Sequence, residues 1–194
     1  FLGQRLARAL LARGMLAGGG DSPEAIERIV LFDRVAATGF ADSRVEIVAG
    51  DVADAAAIRR VIDGGVASVF HLAAVVSGAA EADFDLGMRV NLKGMELLLE
   101  QMRKCSRPPR LVYTSSVAAF GGDLPSVLDD STIANPQTSY GMQKVVGEYL
   151  ITDFSRKGFI DGRSLRLPTI VVRPGKPNAA ASSFASGIIR EPLN

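Results

Sequence analysis

A tyrosine and a lysine stand four residues apart in the segment SYGMQK, at residues 139–144. Residues i and i+4 of a helix share one face, so the Tyr140 phenol and the Lys144 ammonium are expected to project together. A free phenol has a pKa near about 10 and is a poor base at neutral pH. A nearby ammonium favours the phenolate and lowers that pKa, so the pair is predicted to accept a proton from an alcohol. The alternative is a surface tyrosine and lysine at ordinary helical spacing.

Hydroxyl groups end the apolar run RLVYTSS at residues 110–116. The hydroxyl of Ser116 is placed where a strand would end, and it could hold a substrate oxygen and polarise it. Serine, phenol and ammonium together indicate a site for proton transfer to or from a hydroxyl group.

The single histidine and the single cysteine limit the other chemistries. His71 lies inside an apolar run, so we expect a packed structural side chain rather than a general base. One histidine leaves little for a Ser-His-Asp triad or a multi-histidine metal site. Cys105 alone excludes an internal disulfide and a cysteine-based zinc site, and we predict no metal.

These residues must be positioned by a sheet, because apolar runs of strand length alternate with longer helical patterns. The runs are rich in Val, Ile, Leu and Phe with little polar alternation, which is typical of strands covered on both faces. This pattern predicts an α/β fold with a doubly wound parallel sheet and right-handed crossovers. The predicted strands are residues 28–32, 45–50, 68–74, 110–116 and 164–172.

The helical patterns between these runs carry their own start and stop signals. Asp54 is a plausible N-cap for the segment DAAAIRRVID, and Lys157-Gly158 is a good stop for the helix that carries Tyr140. The chain opens in a helical pattern and ends at residue 194 without a closing element, so we expect a fold truncated at both ends.

Ligands of such a sheet bind where the strands end at their carboxyl edge. Gly3 is a candidate for the last glycine of a phosphate-binding turn, with the first strand and the earlier glycines outside the chain. The alternative is a packing glycine early in a helix. Asp33 ends the run IVLFD, where a carboxylate can accept hydrogen bonds from both hydroxyls of an adenosine ribose. That carboxylate favours NAD over NADP, although Arg34 beside it can hold an extra phosphate.

Two further segments are candidates for cofactor contacts at this edge. The Asp51 carboxylate can meet the adenine amino group, with Val52 beside the ring. The alternative is that Asp51 and Asp54 act only as caps of the loop and the helix. Small and apolar residues at 72–74 let the backbone approach a cofactor closely; they are Leu72, Ala73 and Ala74.

Bulk composition indicates one soluble domain. The chain has 194 residues, of which 47% are hydrophobic and 22% charged, with a formal net charge of +1. A near-neutral chain without a basic cluster offers no electrostatic footprint for nucleic acid. The longest apolar runs are strand-length and interrupted by charge, so no membrane span is predicted. These features suit a reducing cytoplasm.

The order of the motifs resembles the extended short-chain dehydrogenase/reductase family. NLKG at residues 91–94 is followed by YTSSVAAFG at 113–121, SYGMQK at 139–144 and RLPTIVVRPG at 166–175. The resemblance covers nearly the whole chain. It implies a Rossmann fold with NAD bound along the strand ends.

The same resemblance implies a role for each matching residue. Tyr140 would be the catalytic acid/base, Lys144 would bind the nicotinamide ribose and tune the tyrosine, and Ser116 matches the third catalytic position. Ser115 would line the nicotinamide. Asn91 matches the asparagine that steadies its helix and a proton-relay water; its alternative is a polar residue that bends the helix.

The segment after the last strand implies nicotinamide and substrate contacts. Pro168 and Ile170 match positions where the backbone contacts the nicotinamide amide. Family members that act on nucleotide sugars often carry Arg-x-x-Asn here, whereas this chain has RLPT, with Thr169 at the asparagine position. The departure indicates another substrate.

The following residues, 171–193, resemble members of the family that break down four-carbon sugar acids. A sugar acid needs a cation for its carboxylate, which Arg173 or Lys176 could supply through charge-assisted hydrogen bonds; the alternative for Arg173 is a structural loop salt bridge. Asn178, Ser182 and Ser183 could address substrate hydroxyls. We therefore assign residues 1–172 to the cofactor-binding domain and residues 173–194 to the start of a substrate-binding region.

The predicted function is NAD-dependent oxidation of a secondary alcohol in a small sugar acid, next to its carboxylate. One alternative is a nucleotide-sugar epimerase or dehydratase that uses the same Tyr140 and Lys144 and regenerates its NAD. A second alternative is a binding module that senses the cofactor without catalysis. The resemblance also implies a homodimer formed through the two long helices.

Overall fold

The computed structural model describes residues 1–17, 22–171 and 183–190. Parallel strands dominate it, as the apolar runs predicted. Strands β3 and β4 form one parallel sheet, strands β5, β6 and β7 form a second in that order, and β1 pairs with β2 in an antiparallel hairpin. The strands are β1 Met15–Ala17, β2 Pro23–Ala25, β3 Ile29–Asp33, β4 Val45–Ala49, β5 Ser68–His71, β6 Arg110–Ser116 and β7 Asp161–Leu167.

Helices follow the strands in the predicted alternation. The α-helices are α1 Leu2–Arg13, α2 Ala55–Val61, α3 Ser77–Ala82, α4 Phe84–Gly87, α5 Gly94–Met102, α6 Ser139–Arg156 and α7 Ser183–Arg190. A π-helix, Met88–Lys93, runs directly into α5, and a short 3₁₀-helix, Val117–Ala119, follows β6.

The strand pairings match the Rossmann order 3-2-1-4-5-6. In the numbering of the Rossmann fold, β3 and β4 correspond to its second and third strands. Strands β5, β6 and β7 correspond to its fourth, fifth and sixth strands. Within the described residues no strand occupies position 1, so the parallel strands fall into two sheets. The predicted α/β fold class is confirmed.

One hydrophobic core nevertheless joins the two sheets. Leu111 of β6 and Leu99 of α5 are fully buried, and Ile58 of α2 is almost so. Val30 and Phe32 of β3 pack against the same cluster. Apolar side chains from both sheets therefore stabilise a single body.

The helix signals named from the sequence, at Asp54 and Gly158, work as predicted, and the structure adds a cap at Thr138 that was not predicted. The Asp54 carboxylate accepts a hydrogen bond of 2.8 Å from the backbone N–H of Ala56 and starts α2. The Thr138 hydroxyl accepts one of 3.1 Å from Gly141 and starts α6. Helix α6 ends just before Gly158, whose φ of 73° lies in the left-handed region.

Two strand boundaries differ from the prediction. Strand β7 covers Asp161–Leu167, so it starts and ends earlier than residues 164–172. Pro168 has no backbone N–H to continue the ladder, which explains the early end. Strand β5 ends at His71, so residues 72–74 form a loop at the carboxyl edge. The β1–β2 hairpin was not predicted, because its strands are too short to show a period.

Glycines let α6 approach the second sheet closely. A Cβ on Gly141 would lie 2.2 Å from the carbonyl oxygen of Ala118, and one on Gly147 would lie 2.8 Å from the Tyr113 hydroxyl. No side chain fits at either point. The helix therefore packs directly on β6 and on the turn that follows it.

Candidate active site

Helix α6 projects Tyr140 and Lys144 to the same side, as their spacing predicted, and both side chains lie at the carboxyl end of β6. The Lys144 amine lies 5.5 Å from the centroid of the Tyr140 ring and 4.6 Å from that of Tyr113. It also donates a hydrogen bond of 2.7 Å to the backbone carbonyl of Thr114. With a side chain only 2% exposed, Lys144 is held in one place by two rings and a carbonyl.

Ser116 completes this group as the last residue of β6. Its hydroxyl oxygen accepts a hydrogen bond of 3.1 Å from the N–H of Ala118 and caps the 3₁₀-helix. It also lies close enough to the Tyr140 phenol to lower the pKa of that group. The three side chains that the sequence singled out for proton transfer thus meet at one point.

Burial governs the protonation of this group. It raises the pKa of the Tyr140 phenol, and the hydrogen bond with Ser116 opposes that rise. The predicted lowering of the Tyr140 pKa is therefore wrong in direction. The free energy lost when a phenolate is removed from water exceeds the stabilisation that the neighbouring groups give it. Burial also lowers the pKa of Lys144 to about 8, while the negative charge of Glu148 raises it.

His71 is the packed structural side chain that the sequence predicted. Its ring stacks on that of Tyr113 with the centroids 5.8 Å apart, and the residue is buried. Burial and the positive charge of Lys144 lower the pKa of His71 to about 3. The imidazole is therefore neutral at physiological pH and contributes no charge to the site.

Asn91 is buried within the π-helix and ties it to two other elements. Its amide oxygen accepts a hydrogen bond of 2.8 Å from Val75 N–H, and its nitrogen donates to the Val75 carbonyl and to Gln143 Oε1, at 3.1 Å and 2.7 Å. These hydrogen bonds tie the π-helix to the loop after β5 and to α6, and the contact of Asn91 with a proton-relay water stays a prediction. Turns of π-helix often mark functional sites. Gln143, which the sequence analysis missed, joins this network from α6.

Ser115 points to the opposite face of β6 from Ser116, because successive strand residues alternate. Its hydroxyl donates to the carboxylate of Glu148, which also forms a two-point ion pair with Arg166 at 3.0 Å and 2.7 Å. The side chain predicted to line the nicotinamide is thus engaged with α6, and its nicotinamide contact stays a prediction. Glu148 and Arg166 were missed, although Tyr140, Lys144 and Glu148 recur at i, i+4 and i+8.

The predicted ribose and phosphate contacts lie at the start of the chain and the end of β3. Asp33 is exposed, and only its Oδ1 accepts a hydrogen bond from the described residues, at 3.3 Å from Val35 N–H. Gly3 lies in the first turn of α1, where a Cβ would stand 3.5 Å from the Leu72 side chain. A side chain at this position would make only an ordinary contact, so packing does not require glycine here, and the phosphate contact of Gly3 stays a prediction.

The predicted adenine contacts have partners within the protein. The Asp51 carboxylate forms an ion pair of 2.8 Å with Arg89 and accepts a hydrogen bond of 2.9 Å from Ala53 N–H. Both contacts lower the pKa of Asp51. Val52 is buried, and Gly94 packs against it. Asp51 thus caps its loop, as the alternative interpretation proposed. Its contact with adenine stays a prediction.

The loop after β5 and the segment after β7 reach the same carboxyl edge, because β5, β6 and β7 are parallel. Ala73 and Pro168 are exposed, and Leu72, Ala74 and Ile170 are half-buried. Arg173, Lys176, Asn178 and Ser182 lie outside the described residues, so the predicted substrate contacts there are not described.

The described edge fits a dinucleotide. The exposed Asp33 carboxylate has an oxygen available for ribose hydroxyls, and the small side chains of Ala73 and Ala74 leave the edge open. Tyr140 and Lys144 stand at the carboxyl end of β6. Within residues 1–17, 22–171 and 183–190 there is no cluster of three metal-ligating side chains, and no helix has the length and apolarity to cross a membrane.

Comparison with known proteins identifies close relatives. The chain is 62% identical over 194 residues to D-erythronate dehydrogenase of Cupriavidus necator, covering 100% of the chain and 60% of the relative. It is 45% identical over 195 residues to D-erythronate dehydrogenase of Haemophilus influenzae, covering 100% of the chain and 59% of that relative. The chain thus spans about 60% of the length of these relatives.

A solved structure shows the same fold. The nucleoside-diphosphate-sugar epimerase from Agrobacterium tumefaciens superposes with a TM-score of 0.87 at 42% identity, over 98% of this chain and 56% of that one. The model of the NAD dependent epimerase/dehydratase family matches residues 1–193. The motifs, the parallel sheets and this match agree, and the chain belongs to the NAD dependent epimerase/dehydratase family.

Proposed function

We propose that the chain is part of an NAD-dependent dehydrogenase that oxidises a secondary alcohol of a small sugar acid, D-erythronate to its 2-oxo acid. The observation that carries the proposal is the meeting of Ser116, Tyr140 and Lys144 at the carboxyl end of β6. Identity of 62% to a D-erythronate dehydrogenase supports the substrate.

In this mechanism the protein's own side chains handle the proton. With NAD bound, whose positive charge would favour the phenolate, Tyr140 accepts the proton of the substrate hydroxyl, and the Ser116 hydroxyl orients the substrate oxygen. The Lys144 ammonium, 5.5 Å from the phenol ring, stabilises the phenolate electrostatically. The chemistry that NAD supplies when bound is acceptance of a hydride. Because the amine is buried, its charge acts more strongly than it would in water.

The residues that would hold NAD follow the carboxyl edge. Asp33 would bind the adenosine ribose, Asp51 the adenine amino group, and Lys144 the nicotinamide ribose. Arg173 would pair with the substrate carboxylate, and Asn178 and Ser182 with its hydroxyls. The homodimer and the cytoplasmic location belong to this proposal as well.

The test is a screen of the full-length protein for NADH formation against aldonic and uronic acids. We expect D-erythronate to be oxidised, and Tyr140→Phe to lower kcat by about 10²–10⁴-fold while NAD still binds, because only the acid/base is lost. A variant with most of its turnover would overturn the assignment of Tyr140. Tight NAD binding without turnover of any sugar acid would favour a sensing module.

The second candidate is a nucleotide-sugar epimerase, and the Agrobacterium structure at 42% identity favours it. Such an enzyme would use the same Tyr140 and Lys144 and regenerate its NAD within each turnover. Net NADH from free sugar acids, with no conversion of UDP- or dTDP-sugars, would exclude the epimerase. The reverse pattern would exclude the dehydrogenase.

A further inference from the structure

We propose that Glu148 is a positioning residue for this reaction: its carboxylate clamps the carboxyl end of β6, which carries Ser116, to α6, which carries Tyr140 and Lys144. The proposal rests on the proposed function, since it concerns the same site. It adds a group that touches none of the reacting atoms.

The clamp has three members from three elements. Glu148 of α6, with a side chain only 12% exposed, accepts a hydrogen bond from the Ser115 hydroxyl of β6. The same carboxylate receives two parallel hydrogen bonds from Arg166 of β7, at 3.0 Å and 2.7 Å. Two-point pairs of this kind fix orientation as well as distance.

The clamp also reaches the turn that holds the substrate-orienting hydroxyl. The Arg166 guanidinium lies 4.8 Å from the centroid of the Phe120 ring, and Phe120 directly follows the 3₁₀-helix that Ser116 caps. Ser115 is the chain neighbour of Ser116. Movement of Glu148 would therefore be transmitted to the Ser116 hydroxyl from both sides.

Glu148 also carries the negative charge that acts on Lys144. Facing the amine are Tyr140 from α6, neutral His71 from β5, and Tyr113 with the Thr114 carbonyl from β6. Arg166 from β7 is paired with Glu148. Burial lowers the pKa of Lys144, and Glu148 is the group that raises it. Removing the charge should therefore move the titration of Lys144 to lower pH.

The experiment compares Glu148→Gln with Asp153→Asn in the full-length protein. Both variants remove one negative charge from α6, but Asp153 is exposed and pairs only with Arg156 among the described residues. Two quantities are measured: the pH–rate profile with D-erythronate, and the titration of the Lys144 amine by NMR, with its signal assigned through Lys144→Met.

We expect Glu148→Gln to lower kcat about tenfold through misplacement of Ser116. The limb of its profile near pH 8 and the Lys144 titration should both move to lower pH by about one unit. Asp153→Asn should leave both unchanged. Glu148→Gln leaves the Arg166 charge unpaired and so lowers stability. The double variant Glu148→Gln/Arg166→Met removes that unpaired charge, and it should recover stability without recovering the wild-type pH–rate profile.

A folded Glu148→Gln or double variant with wild-type kcat, profile and Lys144 titration would overturn the clamp. The NMR titration needs no substrate, so it separates the two proposals. If no sugar acid is oxidised but the Lys144 titration still moves in Glu148→Gln and not in Asp153→Asn, the electrostatic role of Glu148 stands and the proposed function fails.

Discussion

At the scale of single residues, the site is a cation enclosed by aromatic rings. Lys144 gives up nearly all contact with water and gains one carbonyl and two ring faces in return. Its pKa falls to about 8 because these contacts do not replace hydration fully. The residue is therefore retained at a cost to stability, which is typical of a functional group.

The first prediction is that Lys144→Met stabilises the fold. The difference between a pKa of 10.5 and one of about 8 corresponds to about 3 kcal/mol against folding while the amine is charged in both states. Loss of the hydrogen bond from Lys144 to the Thr114 carbonyl destabilises the variant by about 1 kcal/mol and offsets part of this gain. We expect the free energy of unfolding at pH 7 to rise by about 1–2 kcal/mol, measured by urea denaturation, with activity lost.

The sign of this effect is checked by its pH dependence. Between about pH 8 and 10.5 the unfolded chain keeps the Lys144 proton that the folded protein has released, so stability from this residue increases with pH in that window. Below pH 8 the penalty is constant. Lys144→Met should remove that increase, and a variant with the wild-type slope would contradict the buried charge.

At the scale of elements, the site depends on how closely α6 approaches the turn after β6. Gly141 stands where the helix touches the Ala118 carbonyl, and it directly follows Tyr140. A methyl group at this point meets backbone rather than a flexible side chain. The helix must then shift away from the turn that presents Ser116.

We therefore expect Gly141→Ala to lower both stability and turnover. Forcing α6 away should cost about 2 kcal/mol or more in unfolding free energy and about 10²-fold in kcat. The matched control is Gly64→Ala, since a Cβ there meets no atom within 4 Å. Equal effects of the two substitutions on kcat would show that the close approach has no role in catalysis.

The elements show what the sequence could and could not predict. The spacing of Tyr140 and Lys144, the Asp54 cap and the buried His71 were predictable because each depends on local pattern. The Ser115–Glu148–Arg166 contacts were not, since they join three elements distant in sequence. The direction of the Tyr140 pKa was also missed, because it depends on how much water the fold excludes.

At the scale of the whole molecule, the binding edge is divided between two parallel sheets that share one core. Asp33 belongs to the first sheet, and Ser116 belongs to the second. Val30 and Phe32 pack against the cluster that contains Leu111. A cofactor that contacts both edges should therefore link the two sheets and stabilise the body as a unit.

We expect NAD to raise the Tm of the full-length protein, with a smaller effect from NADP because the Asp33 carboxylate repels a 2′-phosphate. At 100-fold excess over Kd the gain should be about 2.7 kcal/mol. Asp33→Asn should reduce the difference between the two nucleotides, measured by thermal shift. An equal response of the wild type to both would remove the role assigned to Asp33.

The enclosure of Lys144 by aromatic rings gives the protein an optical reporter of its own. The sequence has no tryptophan and only three tyrosines, and two of these, Tyr113 and Tyr140, face the amine. In the protein without NAD, burial raises the pKa of both phenols, so neither ionises when the ammonium discharges near pH 8. Loss of the Lys144 charge changes the electric field at these two neutral tyrosine rings. A near-ultraviolet difference spectrum around pH 8 should therefore report the titration of Lys144 without any label.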